Sequence, residues 1–203
     1  YDAVAKMIVK CDSCKDLRAA GISSVDQLIL YPLIYDDSVP MGTGDLVDGA
    51  FTFYPTGLSP QSVVYPVRQK TSGESVFFDN GFGTLILLDA QTDSEENLEV
   101  TGYLENKTDR FLSFVWEDVT VNGTAVSTTM DTVLAPGMRR YVKLEIPSFE
   151  LTSRNIFDAR EVSFRVTGTP VSGVAGSVTP LIEQQGTFRF SAASGAGTSD
   201  PEA

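Results

Sequence analysis

Histidine is absent from all 203 residues. That removes the side chain most often used as a general base, as the activator of a nucleophile and as a transition-metal ligand. Any catalysis would have to rest on carboxylates, Lys, Tyr or Cys. Only two cysteines are present, Cys11 and Cys14, and one tryptophan. Zinc wants four ligands, and two Cys without His cannot supply them. No run of about 18 apolar residues occurs, so no segment reads as a transmembrane helix. No secretory signal is visible. Cations are scarce: 15 Lys and Arg stand against 27 Asp and Glu, a formal charge of −12 and a sequence pI near 4.3. That balance repels nucleic acid and anionic membrane surfaces, and it favours solubility. The chain opens on Tyr1 rather than Met, which predicts a processed or trimmed product.

What is present suits a packed core. Hydrophobic residues make up 42% and charged residues 21%, a mix far from that of disordered chains. Residues 6–11 (KMIVKC) alternate as a strand does. CKDLRAA reads as a short helix, with Ser13 and Asp16 spaced as a capping box and Gly21 as its left-handed stop. DQLILYPLIY (26–35) reads as a strand, with Pro32 marking an edge or a bulge. AFTFYP (50–55) alternates. Residues 56–75 are rich in Pro, Ser and Gly around SVVYPV, and read as a linker with room for one strand. Beyond them the signals are dense. VFFD, TLILLDA, LEVTGYLEN, RFLSFVWEDVTV, TAVSTTM, MRRYVKLEI, REVSFRVTG and GTFRFSA all read as strands, separated by turn chemistry. Asn122-Gly123 is the strongest hairpin signal, because both residues tolerate the positive φ of a type I′ turn. Pro147 and Ser148 open a second short helix. The small, polar tail SGAGTSDPEA reads as mobile.

The chain also repeats itself. Leu17, Ile22, Val25, Leu28 and Leu30 return as Leu151, Ile156, Ala159, Val162 and Phe164, all at an offset of 134. GAFTF (49–53) returns as GTFRF (186–190) at an offset of 137. Gly21 falls opposite Asn155, and these are the two residue types best suited to a left-handed helix stop. These patterns predict an all-β chain of tandem antiparallel β-sandwich modules, each with one short helix and the first incomplete. Residues 1–55 would be the C-terminal part of a first module, 56–75 a linker, 76–192 a complete module and 193–203 a flexible tail. An incomplete sandwich leaves an open edge and an apolar face. An upstream segment, the linker strand or a homo-oligomer through the first module would close it.

At LEVTGYLENKTDRFLSFVWEDVTVNG (98–123) the chain resembles a repeated Ig-like β-sandwich module of bacterial surface and lipid-anchored proteins of unknown function. The elements that carry the resemblance are Tyr103-Leu104-Glu105-Asn106-Lys107-Thr108-Asp109, Val119 to Gly123, Gly137 and Ile156. It covers 76–192 in full and 5–55 in part. Two features depart from it: Asn155 stands where Gly is usual, and the acidic loop at 93–99 is the chain's own. The resemblance implies a fold and an extracytoplasmic, cell-surface or secreted location. It implies no reaction and no cofactor. It leaves an unknown protein or a cell-wall glycan as the partner.

Each candidate site has a plainer reading beside it. Cys11 and Cys14 form C-x-x-C near a predicted helix start, where a thiol pKa can fall. No thioredoxin-like βαβ pattern surrounds them, and a local disulfide or two inert thiols is the preferred reading. Asp89, Asp93, Glu95, Glu96 and Glu99 are calcium candidates, since Ca²⁺ takes several oxygens. Their spacing is not that of a 12-residue calcium loop, and a solvated hairpin tip explains them. Trp116 reads as core rather than as a sugar platform, because Leu112 and Phe114 share its face while Phe111, Val115 and Val119 make the other face apolar. Tyr31, Tyr35, Tyr54 and Tyr65 could form a carbohydrate strip. Asn106 and Asn122 match glycosylation sequons, yet turn chemistry explains both. The sequence therefore predicts a non-catalytic structural or interaction module. A glycan- or peptide-binding module using loops or a sheet edge is the alternative.

Overall fold

The computed structural model describes residues 24–30, 33–34, 45–46, 50–64, 68–70, 72–171 and 179–191, with 33–34 and 45–46 given as backbone alone. The chain divides into two compact units, Tyr1–Val67 and Arg68–Ala203. The dividing point falls within the stretch that the sequence assigns to a linker. Among the described residues no helix is long and apolar enough to cross a membrane.

In the first unit, β1 (Leu28–Leu30) pairs antiparallel with β4 (Phe51–Phe53), and β2 (Leu33–Ile34) with β3 (Asp45–Leu46). The predicted strand over 26–35 holds two described elements, β1 and β2, each with its own partner, and Tyr31 and Pro32 lie outside the described residues. Past β4 the chain turns at Gly57 (φ 75°), whose amide donates to the Tyr54 carbonyl. Asp26 accepts from Ser24 and from Thr56, which ties the entry of β1 to the exit of β4. The described part of the linker holds a short 3-10 turn, Pro60–Ser62, and no strand before β5.

The second unit is an antiparallel β-sandwich. Its first sheet has the order β11-β7-β6-β5, from β5 (Ser75–Asp79), β6 (Gly83–Thr92), β7 (Leu98–Asn106) and β11 (Arg139–Ile146). Its second sheet has the order β10-β8-β12-β13, from β8 (Leu112–Val121), β10 (Met130–Leu134), β12 (Glu161–Pro170) and β13 (Ile182–Arg189). The two-residue β9 (Thr124–Ala125) lies beside β8. The links β7 to β8, β10 to β11 and β11 to β12 pass between the sheets. Along β7 and β12 the alternation of burial sends one side chain in two to a shared core.

At the centre of that core Phe164 lies between two rings. It stacks on Trp116 at 4.8 Å and 4°, and on Phe77 of the opposite sheet at 4.6 Å and 14°. Two glycines leave room for this stack. A Cβ on Gly186 would come within 2.8 Å of the Phe77 ring, and one on Gly102 would meet Leu85, the Ile86 carbonyl and Trp116 at 3.2–3.4 Å.

Trp116 is fully buried, as its pattern suggests. Val119 differs from expectation. It lies in the core with Trp116 rather than on the face of Val115. Asp118, at φ 56°, marks a bulge where β8 carries one residue more than β12 between the pairs Arg165–Glu117 and Ser163–Thr120. An extra residue reverses which face the following side chains take. The bulge also turns Asp118 outward to Arg165, which bridges Glu117 as well. The strand predicted at TAVSTTM is likewise split. The chain leaves β8 after Val126, because the Ser127 amide donates to the Glu150 carboxylate, and it rejoins β8 as β10.

The helix α1 (Ser148–Ser153) ends as the sequence predicts. Asn155 takes φ 56°, its amide donates to Thr152, and the Ile156 amide reaches back to Leu151 at 2.9 Å. This is a Schellman closure, and buried Leu151 and Ile156 supply its apolar contact. Asn155→Ala should cost about 1 kcal/mol, and Asn155→Gly should leave stability equal or higher. Urea melts decide this. Equal losses in both variants would show that the left-handed geometry is not what the position requires.

Candidate functional site

The acidic loop closes the β6–β7 hairpin. Asp93 accepts from the amides of Glu95 and Asn97 and from the Asn97 side chain, at 2.8, 2.9 and 3.1 Å. Glu96 supplies the left-handed residue of the turn, at φ 64°. Asn97 in turn caps the approach to α1 by accepting from the Ser148 amide. Glu99 pairs with Lys143, and Asp89 accepts from the Ala90 amide. Of the five calcium candidates, Asp89, Asp93 and Glu99 are thus engaged by hydrogen bonds or an ion pair within the fold. Among the described residues no group of three or more His, Cys, Asp or Glu is gathered in a way that could hold a metal ion. Cys11 and Cys14 lie outside the described residues, as do Tyr31, Tyr35 and Tyr65.

Burial pushes the Asp93 carboxyl up, but the donors from Asn97 and Glu95, with Lys143 behind them, outweigh this and hold it below its usual range. A carboxylate whose folded pKa is depressed stabilises the fold above the unfolded pKa, and that contribution is lost as pH falls through the folded value. Amide protection at residues 94–97, corrected for the intrinsic pH dependence of exchange, should therefore fall as pH drops below the usual carboxylate range. A flat profile would contradict this account of the tip.

The motif Glu105-Asn106-Lys107-Thr108-Asp109 is built around a fully buried Asn106. Its side-chain nitrogen donates to the carbonyls of Arg110, Leu134 and Ala135 at 2.7, 3.0 and 3.1 Å, and its oxygen accepts from the Thr108 amide and hydroxyl. One side chain thus joins the end of β7, the following turn and the end of β10. Lys107 reaches Asp79, which also accepts from Thr84. These two donors hold the Asp79 carboxyl below its usual range. Asn122 serves a similar purpose at the other sequon. It takes φ 48°, followed by Gly123 at 79°, while its side chain bonds Asp158, Arg160 and Glu161. Both asparagines are structural junctions.

The outer face of the first sheet carries a feature that the sequence reading missed. Register sets Val76 opposite Ile86, Ile86 opposite Tyr103 and Tyr103 opposite Tyr141. The result is one apolar row across all four strands, about 14 Å wide at the usual strand spacing. Its ends are open, with Val76 61% and Tyr141 64% exposed, while Tyr103 is only 8% exposed. Arg68 covers Tyr103. Its guanidinium sits 5.2 Å from the ring centroid and is held by both oxygens of Glu74, at 2.6 and 3.0 Å. Tyr141 meets the Tyr103 ring edge-on at 5.6 Å. The flanking row adds Asp89, Thr101 and Lys143. This face offers apolar contact, the exposed ring of Tyr141 and hydrogen-bonding groups side by side. It differs from the outer face of the second sheet, where Arg165 bridges Glu117 and Asp118 and Ser163 bonds Thr187.

No family model matches the chain, and no curated protein does. Among solved structures, one described as a protein from Archaeoglobus fulgidus is similar at 10% identity and a TM-score of 0.27, over 58% of this chain and 93% of that one. The C-terminal domain of wzt is similar at 8% identity and a TM-score of 0.30, over 66% and 90%. At that level neither likeness specifies a ligand, a partner or a reaction.

Proposed function

We propose that the chain is a non-catalytic structural or interaction segment of an extracytoplasmic bacterial surface protein, built from tandem Ig-like β-sandwich modules. One observation carries the reading: Asp93, Asn106, Asn122 and Asn155, the polar residues that stand out in the sequence, each hold a turn, a junction or a helix end. The Ig-like assignment draws support from the order β11-β7-β6 against β10-β8-β12-β13, with a buried Trp116 on β8. The tandem assignment draws support from the antiparallel pairing of β1 with β4, whose sequence counterparts are β12 and β13. Leu28 sits opposite Phe53 where its counterpart Val162 sits opposite Phe188, the counterpart of Phe51. That two-residue difference keeps the same residues on the same face. The reading expects no turnover on panels of glycosides and peptides. Reproducible turnover lost in Glu117→Gln or Glu150→Gln, with the melt unchanged, would overturn it.

A second reading, a glycan- or peptide-binding module, is favoured by the open row ending in Tyr141. Aromatic rings present flat apolar faces to sugars and side chains. On a glycan array, binding should appear with the parent chain and vanish with Tyr141→Ser. Binding unaffected by that change would remove this face from consideration.

A further inference from the structure

The first sheet ends on β11, and among the described residues no strand lies against its far side. Register tells which backbone groups that side carries. The Asn106 amide donates to the Met138 carbonyl. In an antiparallel ladder such bonded pairs recur at every second residue, so Arg140, Val142 and Leu144 bond toward β7. Tyr141 and Lys143 consequently turn N–H and C=O away from it. The same parity holds at Glu145, whose carbonyl accepts from the Thr128 hydroxyl at 2.7 Å. Beside this edge lies an open groove of ≈ 600 Å³, lined by Met130, Asp131 and Thr132 of β10, by residues 140–143 of β11, and by Leu88 and Thr101 of β6 and β7.

We propose that this edge pairs antiparallel with β11 of a second copy of the chain, about a two-fold axis at Val142. Two copies of the first sheet then form one continuous sheet. This goes beyond the proposed function and rests on the second unit alone.

The charge pattern selects the occupant and the register. A two-fold axis makes the pairing antiparallel and self-complementary. With the axis at Val142, Tyr141 lies opposite Lys143 of the second copy, and Arg139 lies opposite Glu145 of the second copy. Both contacts occur twice. The neighbouring registers that use the same backbone groups are worse. One sets Tyr141 opposite itself and Arg139 against Lys143, and the other sets Lys143 opposite itself. Like charges directly opposite destabilise a ladder. Charged side chains on an edge strand ordinarily deter pairing. Here the order Arg139, Tyr141, Lys143, Glu145 favours this register over the two adjacent to it. The pairing would also bring the apolar rows of two copies onto a single face, with Tyr141 of each beside Lys143 of the other.

Sedimentation velocity on the 203-residue chain tests this. A concentration-dependent dimer is expected. Arg139→Glu alone and Glu145→Arg alone should each weaken it about tenfold, since each change sets like charges opposite one another at two symmetric positions. The double variant should restore the parent affinity. Melts equal to the parent's would show that each variant folds. In the parent chain, amide exchange at Tyr141 and Lys143 should slow as concentration rises. A monomer at every concentration, a dimer indifferent to the single changes, or a double variant no better than the singles would overturn the proposal.

Discussion

Asn106→Ala is expected to cost the second unit about 3–4 kcal/mol. The side chain is fully buried, and its loss removes the donor that serves the carbonyls of Arg110, Leu134 and Ala135. It also leaves the Thr108 amide without its acceptor. Each buried group left unpaired costs about 1–3 kcal/mol, and the loss is not fully additive because water can enter the turn. Asn106→Asp separates geometry from size. It keeps the shape but points a carboxylate at three carbonyl oxygens. At neutral pH it should be at least as damaging as the alanine change. Burial would raise the folded pKa of that Asp, so stability should recover as pH falls and the group protonates. Urea melts followed by Trp116 fluorescence would read both variants, since Trp116 is the chain's one tryptophan. A loss under about 1 kcal/mol for Asn106→Ala would mean that the junction does not hold the turn.

The other large effect is at Trp116, where an Ala substitution is expected to cost about 3–5 kcal/mol. The indole fills the space facing Gly102 and forms one side of the stack through Phe164 to Phe77. Because the stack spans the two sheets, removing its base opens a cavity that neither sheet can close alone. Trp116→Phe should be much milder, about 1–2 kcal/mol. It keeps a stacked ring and removes an indole N–H that meets no acceptor among the described residues. Thermal melts by circular dichroism would rank the two. If Phe cost as much as Ala, the indole N–H or the outer ring would matter more than the stack.

Local chemistry made the turns readable from sequence. Asn122-Gly123, Pro136-Gly137 and Asn155 announce positive φ because few other residues accept it, and the structure has φ of 48°, 79°, 65° and 56° at Asn122, Gly123, Gly137 and Asn155. Strand existence was readable from period-two alternation for the same reason. Register was not readable. Val119 reaches the core only because β12 sets where the Asp118 bulge falls. The split of the return strand depends on Glu150, more than 20 residues further on. Asn106 announced a turn, but its bonds to Leu134 and Ala135 join positions 28 and 29 residues apart. The row Val76, Ile86, Tyr103 and Tyr141 was hidden for the same reason, because its members share a face only once three strand pairings are fixed.

The placement of the protein outside the cytoplasm, as a surface scaffold, is the central functional claim. Labelling intact cells that make the protein with a membrane-impermeant amine reagent tests it most directly. The account predicts that lysines of the chain, Lys107 and Lys143 among them, react while a cytoplasmic control protein stays unlabelled. Label that appears on the chain only after lysis would contradict it.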